Sequence, residues 1–186
     1  GKTIQTIAWF LSLKEQKPDI GPALIICPMS VVGNWEREIK RFAPSLSVWI
    51  HHGISRCRGD EFIAHIGRYD LILTTYNLAS RDIDHLLPVR WSAVILDEAQ
   101  NIKNPNTLQS QAIRELTADR RIALTGTPVE NRLLELWSIM DFLNPGYLGS
   151  QHAFQSRYGH LSGTEQDKHG TTELRLLIRP FLLRRM

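Results

Sequence analysis

Residues 94–100 read Val-Ile-Leu-Asp-Glu-Ala-Gln, three apolar residues of buried-strand type running straight into two adjacent carboxylates, Asp97 and Glu98. An unbroken apolar run suits a parallel strand covered on both faces. Acidic residues at its carboxyl end are held rigidly at the edge where open α/β sheets bind ligands. There Asp97 would hold magnesium, usually through water, and Glu98 would orient or deprotonate an attacking water. The plainer alternative is an acidic pair facing solvent, with Asp97 capping the following turn.

Two further stretches favour the chemical reading. Gly1-Lys2-Thr3 opens the sequence, and Leu124-Thr125-Gly126-Thr127-Pro128 follows the acidic pair. A lysine and a hydroxyl in this order supply a cation for the β and γ phosphates and a ligand for magnesium. A phosphate-binding loop reads G-x-x-x-x-G-K-[ST]. Only its last three letters are present, so the strand and glycines of that loop are expected to lie upstream of Gly1. Gly-Lys-Thr alone is more often an ordinary helix start; its place before an amphipathic helix and its company with Asp97 reverse that and point to a nucleoside-triphosphate motor. Thr125, Gly126 and Thr127 combine a flexible backbone with two hydroxyls that could link such a site to another surface. They also read as a tight turn before Pro128, and both readings are compatible. Gln100 is close enough to sense a γ-phosphate or to touch that next stretch.

The surrounding pattern alternates. Ile4, Ile7, Ala8 and Leu11 have helical spacing, ended by Lys17-Pro18-Asp19 and Gly21-Pro22. Ala23 to Cys27 reads as a buried strand. Val32, Trp35, Ile39 and Phe42 then share one face of an amphipathic helix. Short strands are predicted at 47–50, 71–74, 93–96 and 121–124. Asn104-Pro105 and Thr127-Pro128 look like caps with a first-turn proline, starting helices over 107–116 and 129–143. This rhythm predicts an α/β fold, a mostly parallel sheet with helices on both faces. Pro28, Thr75, Asp97 and Thr125 each fall at a strand's carboxyl end. Residues 1–143 form the expected nucleotide-binding lobe. From Asn144 to Met186, repeated Gly and Pro predict an irregular, mainly helical extension, with helices near 151–158 and 172–178.

Composition narrows the class. The chain has 186 residues, 42% hydrophobic and 22% charged, with a net charge of +3. That suits one folded domain and excludes disorder as the main state. No apolar run approaches the roughly 20 residues of a membrane span, and no secretory signal is read at the start. Cys27 and Cys57 are too few for a disulfide framework and lack zinc spacing, which favours a reducing, intracellular setting. His51-His52 shows no metal-ligand pattern. Trp9, Trp35 and Trp137 read as core, and Arg184-Arg185 as a solvated pair or a phosphate contact.

With these residues quoted, the chain resembles the first RecA-like lobe of a Snf2-family ATPase of helicase superfamily two. The similarity runs nearly end to end through Gly1–Gln5, Leu24–Pro28 and on to Trp35, Leu73–Asn77, Leu96–Asn104 and Leu124–Asn131. Leu133–Asn144 and Pro180–Arg185 are similar to stretches that separate this family from RNA helicases, which carry Ser-Ala-Thr where Thr125-Gly126-Thr127 stands. The resemblance implies a RecA-like lobe of the phosphate-loop type, ATP and magnesium as cofactors, and ATP-driven translocation along double-stranded DNA, normally without strand separation. It places Gly1, Lys2, Thr3 and Gln100 at the nucleotide, Thr3 and Asp97 at the metal, and Lys2, Asp97 and Glu98 in catalysis. Pro28, Thr75, Thr125, Gly126, Thr127 and Asn131 fall to DNA contact or its coupling to ATP.

It also implies a second RecA-like lobe supplying arginine fingers, worth about 10³ to 10⁵ in rate in related enzymes, and leaves room for protein activators. Alone, this stretch is expected to fold but to hydrolyse ATP weakly or not at all. Gln100, where many eukaryotic members carry His, resembles bacterial and archaeal forms, giving a cytoplasmic or nucleoid expectation rather than a nuclear one. Two alternatives stay open: an RNA- or RNA-polymerase-associated ATPase of the same superfamily, and a catalytically silent DNA-binding or interaction module.

Overall fold

A computed structural model describes residues 1–53, 56–57, 59–126, 133–159 and 168–183. Five strands, β1 (Ala23–Cys27), β2 (Val48–Ile50), β3 (Leu71–Thr75), β4 (Ala93–Asp97) and β5 (Arg121–Leu124), form one sheet in the order β2-β3-β1-β4-β5. Every pairing is parallel, with Ile25 opposite both Leu73 and Ile95. The unbroken apolar runs predicted this: β1, β3 and β4 are buried at every position, as strands covered on two faces must be.

Alternate side chains divide between two cores. Leu24, Ile26, Ile72, Val94 and Leu96 pack with Phe62, Tyr76, Trp91, Ile113 and Phe142 on one face. Ala23, Ile25, Cys27, Leu73 and Ile95 pack with Ile7, Phe10, Trp35 and Ile39 on the other. Helices α1 (Lys2–Gln16) and α2 (Met29–Phe42) therefore cover the second face. The first is covered by α3 (Gly59–Ile66), α4 (Tyr76–Arg81), α5 (Ile83–Leu86), α6 (Leu108–Glu115) and α7 (Leu133–Leu143).

α2 follows its sequence except at its last residue, where Phe42, predicted on the packed face, is exposed under the Arg41 guanidinium. Val32, Trp35 and Ile39 are buried, while Asn34 with Glu38 and Lys40 with Glu36 bond at i,i+4 on its other side. In α1 the buried residues are Thr6, Ile7 and Phe10, so the packed face is rotated from the predicted one and leaves Ile4 and Ala8 exposed. The reason is that Phe10 supplies more buried area than Ala8.

Other differences are local. α6 is capped by Thr107, whose hydroxyl accepts the Ser110 N–H. Asn104, predicted as a cap, instead closes a turn by accepting the Asn106 N–H. Asp97 is the last residue of β4 rather than the residue after it. Beyond α7, α8 (Gln151–Tyr158) and α9 (Lys168–Ile178) are more regular than the glycines suggested. They pack Phe154, Tyr158 and Leu174 against Leu136, Trp137 and Met140 of α7. The expectations for Thr127-Pro128 as a helix start, for Asn131 and for Arg184-Arg185 lie outside the described residues. Among the described residues no helix is long and apolar enough to cross a membrane.

Candidate functional site

The sheet order sets the carboxyl ends of β3, β1, β4 and β5 side by side, about 4.8 Å from strand to strand. Thr75, Pro28, Asp97 and Thr125 therefore form a row in that order. Residues far apart in sequence become neighbours because parallel strands all end on the same edge.

At the β4 and β5 end, groups converge. Lys2 Nζ lies 3.9 Å from Glu98 Oε1, with the two side chains 42% and 34% exposed. A Cβ added to Gly126 would lie 3.5 Å from Lys2 Nζ and 3.9 Å from Glu98 Oε2, so the Gly126 backbone closes a third side. The Gln100 amide donates to Glu98 Oε2 at 2.8 Å, and the Thr125 hydroxyl donates to Gln100 Oε1 at 2.9 Å. Gln100 thus touches the following motif, one of the two roles open to it from sequence.

A half-exposed ion pair at this separation contributes little stability, about 0 to 1 kcal/mol. An anion could take the place of Glu98 at Lys2 with little loss. Gly1 and Lys2 also begin α1, with Gly1 at its N-cap and no side-chain cap present. The first N–H groups of that helix thus lack intrahelical acceptors and carry partial positive charge. Thr3 sits in this first turn, half-buried.

Asp97 is 7% exposed. Its Oδ1 accepts the Glu98 N–H at 3.0 Å and its Oδ2 accepts the Trp35 indole N–H at 2.8 Å. Each carboxylate oxygen has a second lone pair, so both stay capable of meeting a metal-bound water. Burial first, and the charge of Asp97 second, push the Cys27 thiol up to about 12, so Cys27, fully buried at the end of β1, is a neutral core residue.

The Pro28 and Thr75 end of the row is built of helix starts. Pro28 is the N-cap of α2 and is followed by exposed Met29 and Ser30. Thr75 caps α4 by accepting the Leu78 N–H at 3.4 Å and is followed, after buried Tyr76, by exposed Asn77. Neither Pro28 nor Thr75 lies among the groups around Lys2. Thr125 and Gly126 do, so of the positions singled out for coupling those two join the cluster around Lys2 and Glu98. Thr127 and Asn131 lie outside the described residues.

Two residues escaped the sequence reading. Trp35 looked like core, and it is, but its N–H reaches a carboxylate. Tyr76 is also buried and donates its hydroxyl to the Asp97 carbonyl at 2.8 Å, with the Glu98 carbonyl 3.4 Å away. The available signal was chemical: a buried Trp or Tyr carries a polar atom that needs a partner.

His51, without metal spacing in the sequence, is buried and bonds Asp82 Oδ2 at 2.9 Å. Arg56 grips the same carboxylate with Nε at 2.5 Å and Nη2 at 2.8 Å. Among the described residues no three His, Cys, Asp or Glu side chains gather as a metal cluster.

The SNF2-related domain matches residues 1–186, the whole chain. The chain belongs to that family. Across all of its length it is 54% identical to YwqA of Bacillus subtilis, whose name describes an ATP-dependent helicase/translocase. It is 35% identical to ISW2 of Saccharomyces cerevisiae, an ISWI chromatin-remodeling complex ATPase. The Sulfolobus solfataricus SWI2/SNF2 ATPase core, solved in complex with dsDNA, superposes on the entire chain with a TM-score of 0.86 at 46% identity. The α/β fold is thus the RecA-like fold of a SWI2/SNF2 ATPase core. The chain spans 20% of YwqA, 17% of ISW2 and 38% of the Sulfolobus core.

Proposed function

We infer that this SNF2-related domain is the N-terminal ATPase lobe of a motor that hydrolyses ATP with magnesium and moves along double-stranded DNA. The observation that carries this reading is the meeting of Lys2, Glu98 and Gly126 at the start of α1, where Lys2 Nζ and Glu98 Oε1 face each other at 3.9 Å. The arrangement fits a nucleotide triphosphate: a cation and free helix N–H groups for phosphate beside a carboxylate able to manage water.

In this reading Gly1, Lys2 and the first turn of α1 bind phosphate. Thr3 and Asp97 hold magnesium, which binds through one or two protein oxygens while keeping water and phosphate ligands. When bound, the metal neutralises charge developing on the phosphates. Glu98 takes a proton from the attacking water, and Gln100 fixes the Glu98 carboxylate while linking it to Thr125. Pro28 and Thr75 present helix starts to DNA phosphates. Backbone contacts of that kind position the protein without reading sequence.

Support for a DNA partner comes from the Sulfolobus core, solved with dsDNA. A second lobe would close the ATP cleft and supply its arginines, so this lobe alone is expected to be nearly inactive. Residues 144–186 would lead toward that lobe. The YwqA likeness, with Gln100, supports a prokaryotic cytoplasmic or nucleoid setting.

The test is ATP hydrolysis by the full-length protein, alone and with duplex DNA, single-stranded DNA or RNA, with Glu98→Gln as the blank. Stimulation by duplex DNA that vanishes in the variant is expected. Preferential stimulation by RNA would move the assignment to an RNA-directed ATPase, and no hydrolysis on any nucleic acid would indicate a silent module.

A further inference from the structure

Asp97 and Glu98 are gripped from the far end of the strand row. Trp35 is 1% exposed and its indole N–H meets Asp97 Oδ2 at 2.8 Å. Indole N–H is a donor only, and packing alone would be satisfied by phenylalanine. Tyr76, also buried, donates to the Asp97 carbonyl at 2.8 Å and lies 3.4 Å from that of Glu98.

The turn they hold is strained. Glu98 has φ 52° and ψ 57°, and among the described residues it is the only one other than glycine with positive φ. Such a conformation costs about 1 to 3 kcal/mol and persists only where its surroundings impose it. Here they do: Tyr76 holds the carbonyl before it, Asp97 Oδ1 its N–H, and Asn101 Nδ2 its carbonyl at 2.8 Å.

Both anchors begin at the row's other end. Trp35 lies about two turns into the helix that starts after Pro28, and Tyr76 directly follows Thr75. We propose that Trp35 and Tyr76 are positioning residues that join the Pro28 and Thr75 turns to the Asp97–Glu98 turn, so that DNA engaged at the first two resets the carboxylates. This rests on the ATP-driven, DNA-engaging reading above. Such coupling needs an element that can change arrangement, and the strained Glu98 turn is the one the proposal assigns to it.

The experiment compares Trp35→Phe and Tyr76→Phe with wild type in the full-length protein. It reads the ratio of DNA-saturated to DNA-free ATP turnover, the DNA half-saturation, nucleotide affinity, and hydrogen exchange at residues 97–101 with and without duplex DNA. In each variant the ratio is expected to fall about fivefold or more, the low end of ordinary coupling. DNA half-saturation and nucleotide affinity should stay within about twofold of wild type on the same scale. The exchange response to DNA at residues 97–101 should disappear.

A merely structural role would lower both turnover rates together and keep their ratio, which overturns the proposal. So does a change confined to DNA half-saturation. Should Trp35→Phe fail to fold, Tyr76→Phe, which removes one oxygen, decides alone. If wild type is not stimulated by duplex DNA, the functional reading fails and this inference with it. If wild type is stimulated and both variants keep the full ratio, only this inference fails.

Discussion

The Thr125 hydroxyl donates to the Gln100 side-chain oxygen at 2.9 Å, joining the loop after β5 to the turn after β4. Because the Gln100 amide in turn donates to Glu98 Oε2 at 2.8 Å, a displacement at Thr125 reaches the proposed catalytic carboxylate through one side chain. Thr125→Val and Gln100→Ala each remove part of this relay. We expect each to lower turnover of the full-length protein by about 5- to 100-fold, with the double variant little worse than the worse single one. Steady-state rates for the four proteins give the answer, and strict multiplication of the two single losses would show that the bonds act separately.

Glu98→Gln keeps the shape of the side chain but removes the base. Turnover should fall by about 10² to 10⁴ while ATP binding persists. Isothermal titration with a non-hydrolysable analogue alongside a phosphate-release assay separates the two effects. Near-normal hydrolysis would remove Glu98 from the assigned role.

Lys2→Ala should behave differently, weakening nucleotide binding as well as turnover. Among the described residues the ion-pair partner of the lysine is a loose one at 3.9 Å, so its loss is expected to cost the fold little. An unchanged melting temperature without nucleotide, together with loss of the stabilisation ATP normally confers, is the expected pattern. Unchanged nucleotide affinity would place the phosphate elsewhere.

The His51–Asp82–Arg56 cluster should govern acid stability. Burial lowers the His51 pKa and outweighs the pull of Asp82. Burial works to raise that of Asp82, but hydrogen bonds from Arg56 and His51 overcome it and hold the carboxyl below its usual range. Both folded values lie under their unfolded ones, about 6.5 for His and 3.9 for Asp. Each contribution is therefore complete above the unfolded value and lost as pH falls through the folded one. Stability should decline on acidification from about pH 6.5, in line with the unfolded histidine value. Asp82→Asn should cost about 3 kcal/mol at neutral pH by leaving Arg56 without its buried partner. It should remove the carboxylate's own part of the acid limb, below about pH 3.9, while the part that begins at about pH 6.5 deepens, because Asp82 no longer holds the His51 pKa up against burial. Urea unfolding across a pH series measures both.

Phe154 is 1% exposed in the core shared by α7, α8 and α9. Phe154→Ala should cost about 3 to 5 kcal/mol. If residues 144–186 are an extension to the lobe, hydrogen-exchange protection is lost in α8 and α9 while β1, β3 and β4 keep theirs. Loss throughout the sheet would instead make the extension part of the same cooperative unit.

The sequence by itself determined the parallel sheet, the placement of its five strands and the identity of the charged and hydroxyl groups at their ends. Doubly covered strands are apolar through most of their length, and Val94-Ile95-Leu96 before Asp97 reads as such a strand ending in a polar group. Short α3, α4 and α5 had no pattern long enough to locate them. Local pattern put the cap of α6 at Asn104 and the packed face of α1 through Ile4 and Ala8, and tertiary packing moved them to Thr107 and to Thr6, Ile7 and Phe10. What only the tertiary structure decided was adjacency: that Lys2, Glu98 and Gly126 meet, and that Trp35 and Tyr76 close on Asp97 and Glu98. Strand order and the direction of a buried N–H or O–H arise from packing between segments distant in the chain, and no local pattern of residues encodes them.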